Sequence, residues 1–73
     1  MTRAKRQHVL TLLVESIDGV TEAALAAHRV TLAEISELAA EGLVTATAQR
    51  IGAGAREIVV TRVRITDAGR VRL

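Results

Sequence analysis

The spacing of apolar positions changes character once along this chain, at Gly42. Upstream they recur every three or four residues, and downstream every second residue. Leu10, Leu13, Val14 and Ile17 make a first helical stripe, with Val9 at its edge and His8, Thr11 and Glu15 opposite. They predict a helix over about residues 3–16, ended by the Asp18-Gly19 turn signal. Leu12 falls off the stripe, in a position for solvent or a subunit contact. A second, short helix is expected from Glu22 to about residue 27 or 28. Thr21 is a suitable N-cap, Glu22 places negative charge at the positive end of the helix dipole, and Val20 and Leu25 can staple the start. A third helix over about residues 32–41 has the sharpest start signal. Thr31-Leu32-Ala33-Glu34 is a capping box, Val30 and Ile35 supply a second staple, Ile35 and Leu38 face inward, and Gly42 suits a left-handed C-terminal position.

Beyond Gly42 two β-rich runs, about residues 43–51 and 57–65, flank the glycine-bearing stretch 52–56 and predict a hairpin. Symmetric pairing sets Leu43 beside Ile65 and Thr45 beside Val63, with Val59 on the same face, closing over the helices. The other face then carries Val44, Ala46, Ala48, Arg50, Ile58, Val60, Arg62 and Arg64. A slip of one residue would exchange faces. Ile51, Ile58, Val59 and Val60 put apolar groups on both faces near the tip, more than a hairpin in free solution needs. Thr66-Asp67 can cap a last short helix running into Leu73.

Composition narrows the chemistry. The 73 residues make one domain, expected over 1–73, and contain no Cys, Phe, Tyr, Trp or Pro. The core must therefore come from Leu, Ile, Val and Ala, and bases cannot stack on aromatic platforms as in most single-strand and RNA-reading modules. Absence of cysteine fits a reducing compartment, and the expected location is cytoplasmic. No apolar run reaches the roughly 20 residues of a membrane helix, and the basic start is not followed by a signal-peptide core. His8 and His28 stand apart from any ligand-spaced carboxylates, so no metal or other cofactor is expected. No nucleophile has an evident base, which points away from an enzyme.

The net charge of +2 conceals a segregation. Arg3, Lys5 and Arg6 open the chain; Glu15, Asp18, Glu22, Glu34, Glu37 and Glu41 follow against Arg29 alone. Arg50, Arg56, Arg62, Arg64, Arg70 and Arg72 then outnumber Glu57 and Asp67. A polyanion would be drawn to the two ends and repelled by the middle.

Three helices followed by a two-stranded hairpin is an α+β arrangement, and in detail it resembles the winged helix-turn-helix family of small bacterial or phage regulators. Glu41-Gly42-Leu43-Val44 is similar to the junction where the third helix passes into the wing. Ile65-Thr66-Asp67-Ala68-Gly69-Arg70 resembles the Leu-Thr-x-x-Gly-Arg pattern that follows the wing. The resemblance spans about residues 5–73 and implies a DNA-binding regulator whose third helix enters the major groove while the wing touches the backbone. Carried over by position, Leu32, Ala33, Ser36, Glu37 and Ala40 face the groove. That set departs from the family's pattern, since base edges and phosphates are normally met by Arg, Lys, Asn or Gln. The expected affinity therefore shifts to the wing and N-terminus, and the candidate DNA contacts are Arg3, Lys5, Arg6, Arg29, Thr31, Ser36, Arg50, Arg56, Arg62 and Arg64. Arg62 and Arg64 share a strand face, and Arg50 is expected to share it with them. Two alternatives remain open at this point. The domain can be a protein-interaction module using the acidic third helix and apolar wing tip, or its acidic helix can meet the basic hairpin of another copy, giving a homodimer or a head-to-tail oligomer.

Overall fold

A computed structural model describes residues 1–52 and 54–73. Its elements run α1 (Arg3–Val14), β1 (Val20–Thr21), α2 (Glu22–Ala27), α3 (Leu32–Ala40), β2 (Val44–Ile51), β3 (Ile58–Ile65) and α4 (Asp67–Val71). The described residues thus form a small α+β fold of four helices and one antiparallel sheet in the order β1-β3-β2. Four threonines start the four helices. Thr2, Thr21, Thr31 and Thr66 each accept a bond from the amide three residues on, satisfying an otherwise orphan donor. At Thr31 the capping box is complete: the Thr31 amide donates to Glu34 Oε1 at 2.9 Å and the Glu34 amide to Thr31 Oγ1 at 3.2 Å.

Helix α1 stops short of the expected end. Glu15 caps it, and Ser16 N–H turns back to the Leu13 carbonyl at 3.1 Å. Ile17, expected in the apolar stripe, therefore lies past the helix and is 90% exposed. The buried face is instead Val9, Leu10 and Leu13, with Leu12 half-buried against the core rather than left to solvent. Leu25, Val30, Ile35, Leu38, Leu43, Val44 and Val63 complete the core.

Both α2 and α3 end in the same left-handed cap. Gly42, at φ 75°, donates to the Ala39 carbonyl while Leu43 N–H reaches Leu38 O, each at 3.0 Å. Arg29 does the same for α2 at φ 62°, with Arg29 N–H to Ala26 O at 2.9 Å and Val30 N–H to Leu25 O at 3.0 Å. A side chain there is strained where glycine is not. Arg29→Gly is expected to raise stability by about 1 kcal/mol, the cost of a left-handed L-residue, as read from a thermal melt followed by circular dichroism.

The cap on α3 corrects the expected sheet register. Leu43 is spent on the cap and on the core, so the ladder begins at Val44. The pairs are Val44↔Ile65, Ala46↔Val63, Thr47↔Arg62 and Arg50↔Val59, ending at Ile51↔Ile58. Val44, Ala46, Ala48 and Arg50 consequently share the face of Val63 and Ile65, whereas Thr45, Thr47, Gln49 and Ile51 share the outer face with Ile58, Val60, Arg62 and Arg64. β1, unforeseen because it is two residues long, pairs Val20↔Val63 and Thr21↔Arg62. The molecule measures 43 × 22 × 21 Å, and every β2 residue after Val44 is exposed.

Candidate nucleic-acid interface

The acidic α3 and the basic start of α1 face each other. Lys5 Nζ lies 3.9 Å from Glu34 Oε1 and donates to the Arg29 carbonyl at 2.8 Å. Arg6 Nη2 lies 3.6 Å from Glu41 Oε1, and the Met1 ammonium 3.5 Å from Glu37 Oε2. Charges that the sequence sets far apart are thus compensated within the molecule. Two corrections follow. Lys5 and Arg6 are not a free basic arm, and Glu34 and Glu41 do not stand unopposed against phosphate. Arg3 is exposed and has no carboxylate partner among the described residues.

Glu34 has a further constraint. The Thr31 amide that bonds its carboxylate, aided by Lys5, holds its pKa below the ordinary carboxylate value, against a smaller opposing effect of burial. A lowered folded-state pKa contributes stability that is present above the ordinary carboxylate range and is lost as pH falls through the folded value. The thermal midpoint of the wild type is therefore expected to exceed that of Glu34→Gln at pH 7, with the gap closing in acid. A gap independent of pH would refute the assignment.

Among the other expected contacts, Thr31 is used locally: its hydroxyl serves the α3 cap and lies 3.2 Å from Glu34 Oε1. Ser36 is exposed on α3 between Ala33 and Ala40, with Leu32 57% exposed beside them. Arg29 is exposed, but its position is set by the left-handed turn. Arg50 lies on the opposite sheet face from Arg62 and Arg64, contrary to expectation, because the register is shifted by one. It makes an exposed pair with Glu57 at 3.8 Å. Arg56 is exposed in the hairpin loop.

Arg62 and Arg64 remain together on the outer face. Arg62 Nε–H donates to Gln49 Oε1 at 3.4 Å, across the hairpin. Arg64 Nε–H donates to the Asp18 carbonyl at 3.2 Å, and its stem passes over Gly19. Each guanidinium is therefore steadied through Nε, while neither has a carboxylate partner among the described residues. Two residues along a strand separate them by about 7 Å. Thr45 and Thr47 stand beside them on β2, paired with Arg64 and Arg62. The arrangement sets two guanidiniums on one strand face beside small polar groups, a layout chemically able to meet anionic oxygens. Sequence reasoning found the two arginines but missed Gln49, Asp18 and the threonines, whose proximity depends on the register and on β1.

His8 and His28, distant in sequence, bring their rings edge to face with centroids 6.4 Å apart. No group of three metal-ligating side chains occurs among the described residues. No helix among them is long and apolar enough to cross a membrane. Comparison of the chain with protein-family models, curated proteins and solved structures finds no match.

Proposed function

We propose that this chain is a winged helix-turn-helix domain that binds double-stranded DNA through the basic face of its wing. The architecture favours the reading in its order of elements: α2 and α3 are separated by four residues, 28–31, and the β2–β3 hairpin follows α3 directly. The observation that carries the binding role is the Arg62–Arg64 pair, anchored by Gln49 and Asp18 and without an internal counter-charge. Arg56 at the loop extends the positive strip toward the tip. Internal neutralisation of α3 removes the repulsion that its composition implied, yet its exposed residues offer little to base edges. Binding is accordingly of low sequence specificity, with phosphate contacts supplying the affinity, and no catalytic step or cofactor is involved.

A salt titration of binding to a labelled duplex tests this. Three arginine–phosphate contacts give a slope of about −2.7 in log K against log salt, or roughly fortyfold weaker binding at 200 mM than at 50 mM. Binding that is absent at 50 mM salt, or insensitive to salt, sinks the proposal. A second reading, a protein-interaction module, is favoured by the exposed Ile51, Ile58 and Val59 at the hairpin end, respectively 41%, 61% and 65% accessible. It gains if the duplex is not bound and Ile58→Ser abolishes capture of a defined partner.

A further inference from the structure

We propose that β2 is a dimerisation edge, on which a second copy of this chain pairs antiparallel to make one six-stranded sheet. β2 is an outer strand, and among the described residues it pairs only with β3. Its eight residues expose about 27 Å of backbone whose outward amides and carbonyls have no partner strand. Natural edges are blunted by lysine, proline, a bulge or a covering element. Val44 to Gln49 contains no charge, proline or glycine. The pairing with β3 runs from Val44↔Ile65 to Ile51↔Ile58 without a bulge, and the exposure of Thr45 to Ile51 leaves the edge uncovered. On the opposite side of the sheet β1 pairs with β3 at Val63 and Arg62 and leads straight into α2.

Charge selects a second copy as the occupant and sets its direction. One end of β2 adjoins the C-terminus of α3, with the negative end of the helix dipole and with Glu37 and Glu41, whose carboxylates are paired with the Met1 ammonium and Arg6 yet stay exposed to a further cation. The other end carries Arg50, whose side chain is 77% exposed and, among the described residues, engaged only in its surface pair with Glu57. Antiparallel pairing about a twofold axis places each Arg50 at the acidic end of the other subunit; parallel pairing would set like ends together. Matching the two core-facing sides requires partners of equal parity. Centring on Thr47 pairs Thr47 with the partner's Thr47, Thr45 with the partner's Gln49, Ala46 with the partner's Ala48 and Val44 with the partner's Arg50. The outer face then meets in hydroxyl and amide pairs that can bond across strands, and the inner face in small alanines. Centring on Ala48 instead would oppose Thr45 to Ile51 and draw Arg50 away from the acidic end. The contact is isologous, so it closes as a dimer rather than growing into a filament. It also aligns Arg62, Thr47, the partner's Thr47 and the partner's Arg62 in one row about 14 Å long. The pairing does not depend on duplex binding, and its test is separate.

Light scattering with refractive-index detection is expected to give twice the 7.8 kDa chain mass at about 100 μM. Thr47→Lys and Thr47→Glu, both at an exposed position, each set like charges opposite one another. Each is expected to weaken association at least tenfold while keeping the wild-type circular dichroism spectrum, and an equimolar mixture is expected to regain the dimer. A wild type monomeric at 1 mM, a species larger than a dimer, or a folded Thr47→Lys that dimerises as tightly as wild type overturns the proposal. Should the variants fail to fold, amide exchange on the wild type decides. Protection of the β2 amides that rises with protein concentration supports the edge pairing, and protection independent of concentration refutes it.

Discussion

Replacing Gly69 with alanine is expected to cost about 3 kcal/mol or more and to lower the melting temperature by roughly 12–24 °C. The direction is opposite to helix propensity, which favours alanine over glycine by about 1 kcal/mol within a helix. Contact decides it. A Cβ at residue 69 would sit 2.2 Å from the Leu43 carbonyl oxygen and 2.6 Å from Ile65 Cγ1. That oxygen cannot simply retreat, because it accepts from Thr66 N–H at 3.0 Å, and the Thr66 hydroxyl donates to Gly42 O at 2.7 Å. Relief of the overlap breaks bonds worth about 1 kcal/mol each as well as local packing. A domain of this size has a total stability of roughly 4–11 kcal/mol, so the change removes between about a quarter and three quarters of it. Ala68→Ser, one residue away and exposed, is the control and should stay within about 0.5 kcal/mol of wild type. Thermal melts by circular dichroism suit both, the chain having no aromatic residue. A Gly69→Ala variant within 1 kcal/mol of wild type would show that α4 is not locked to the α3–β2 junction as described.

The double change Arg62→Glu/Arg64→Glu is expected to abolish duplex binding, with a loss above a hundredfold at 50 mM salt. It deletes two phosphate contacts and installs two repulsive charges on the same face. The milder Arg62→Ala/Arg64→Ala should flatten the salt dependence by about 1.8, near −0.9 for each contact removed. Lys5→Gln/Arg6→Gln separates the sheet face from the N-terminal segment. These two cations oppose Glu34 and Glu41. Their loss should leave the slope unchanged and lower stability by no more than about 1 kcal/mol for each surface pair. If this pair, rather than Arg62 and Arg64, governs the slope, the wing-centred interface is wrong and the N-terminus is the true contact.

The helices were legible because their signals are local. Thr31 and Glu34 are three residues apart and complete a box without help from the rest of the chain, and Gly42 ends α3 by its own conformational freedom. Ile17 misled because periodicity does not announce where a helix stops; the turn of Ser16 onto Leu13 removes it from the stripe. The register misled because Leu43 and Val44 are both buried, one for the helix cap and one for the sheet. Strict alternation has room for only one of them. The same one-residue shift moved Arg50 away from Arg62 and Arg64, and so reshaped the candidate interface.

Reading along the chain was therefore enough for the order of the helices and hairpin strands, the helix starts and the presence of two arginines on one strand face. Each depends on neighbours within a few positions, where backbone geometry and residue type suffice. Tertiary structure alone decided which charges are free. Lys5 meets Glu34 across 29 positions, Arg6 meets Glu41 across 35, and Arg64 finds the Asp18 carbonyl across 46. Coulombic attraction acts through space rather than along the chain, so a charge count by segment cannot tell a compensated cation from one still able to bind a phosphate.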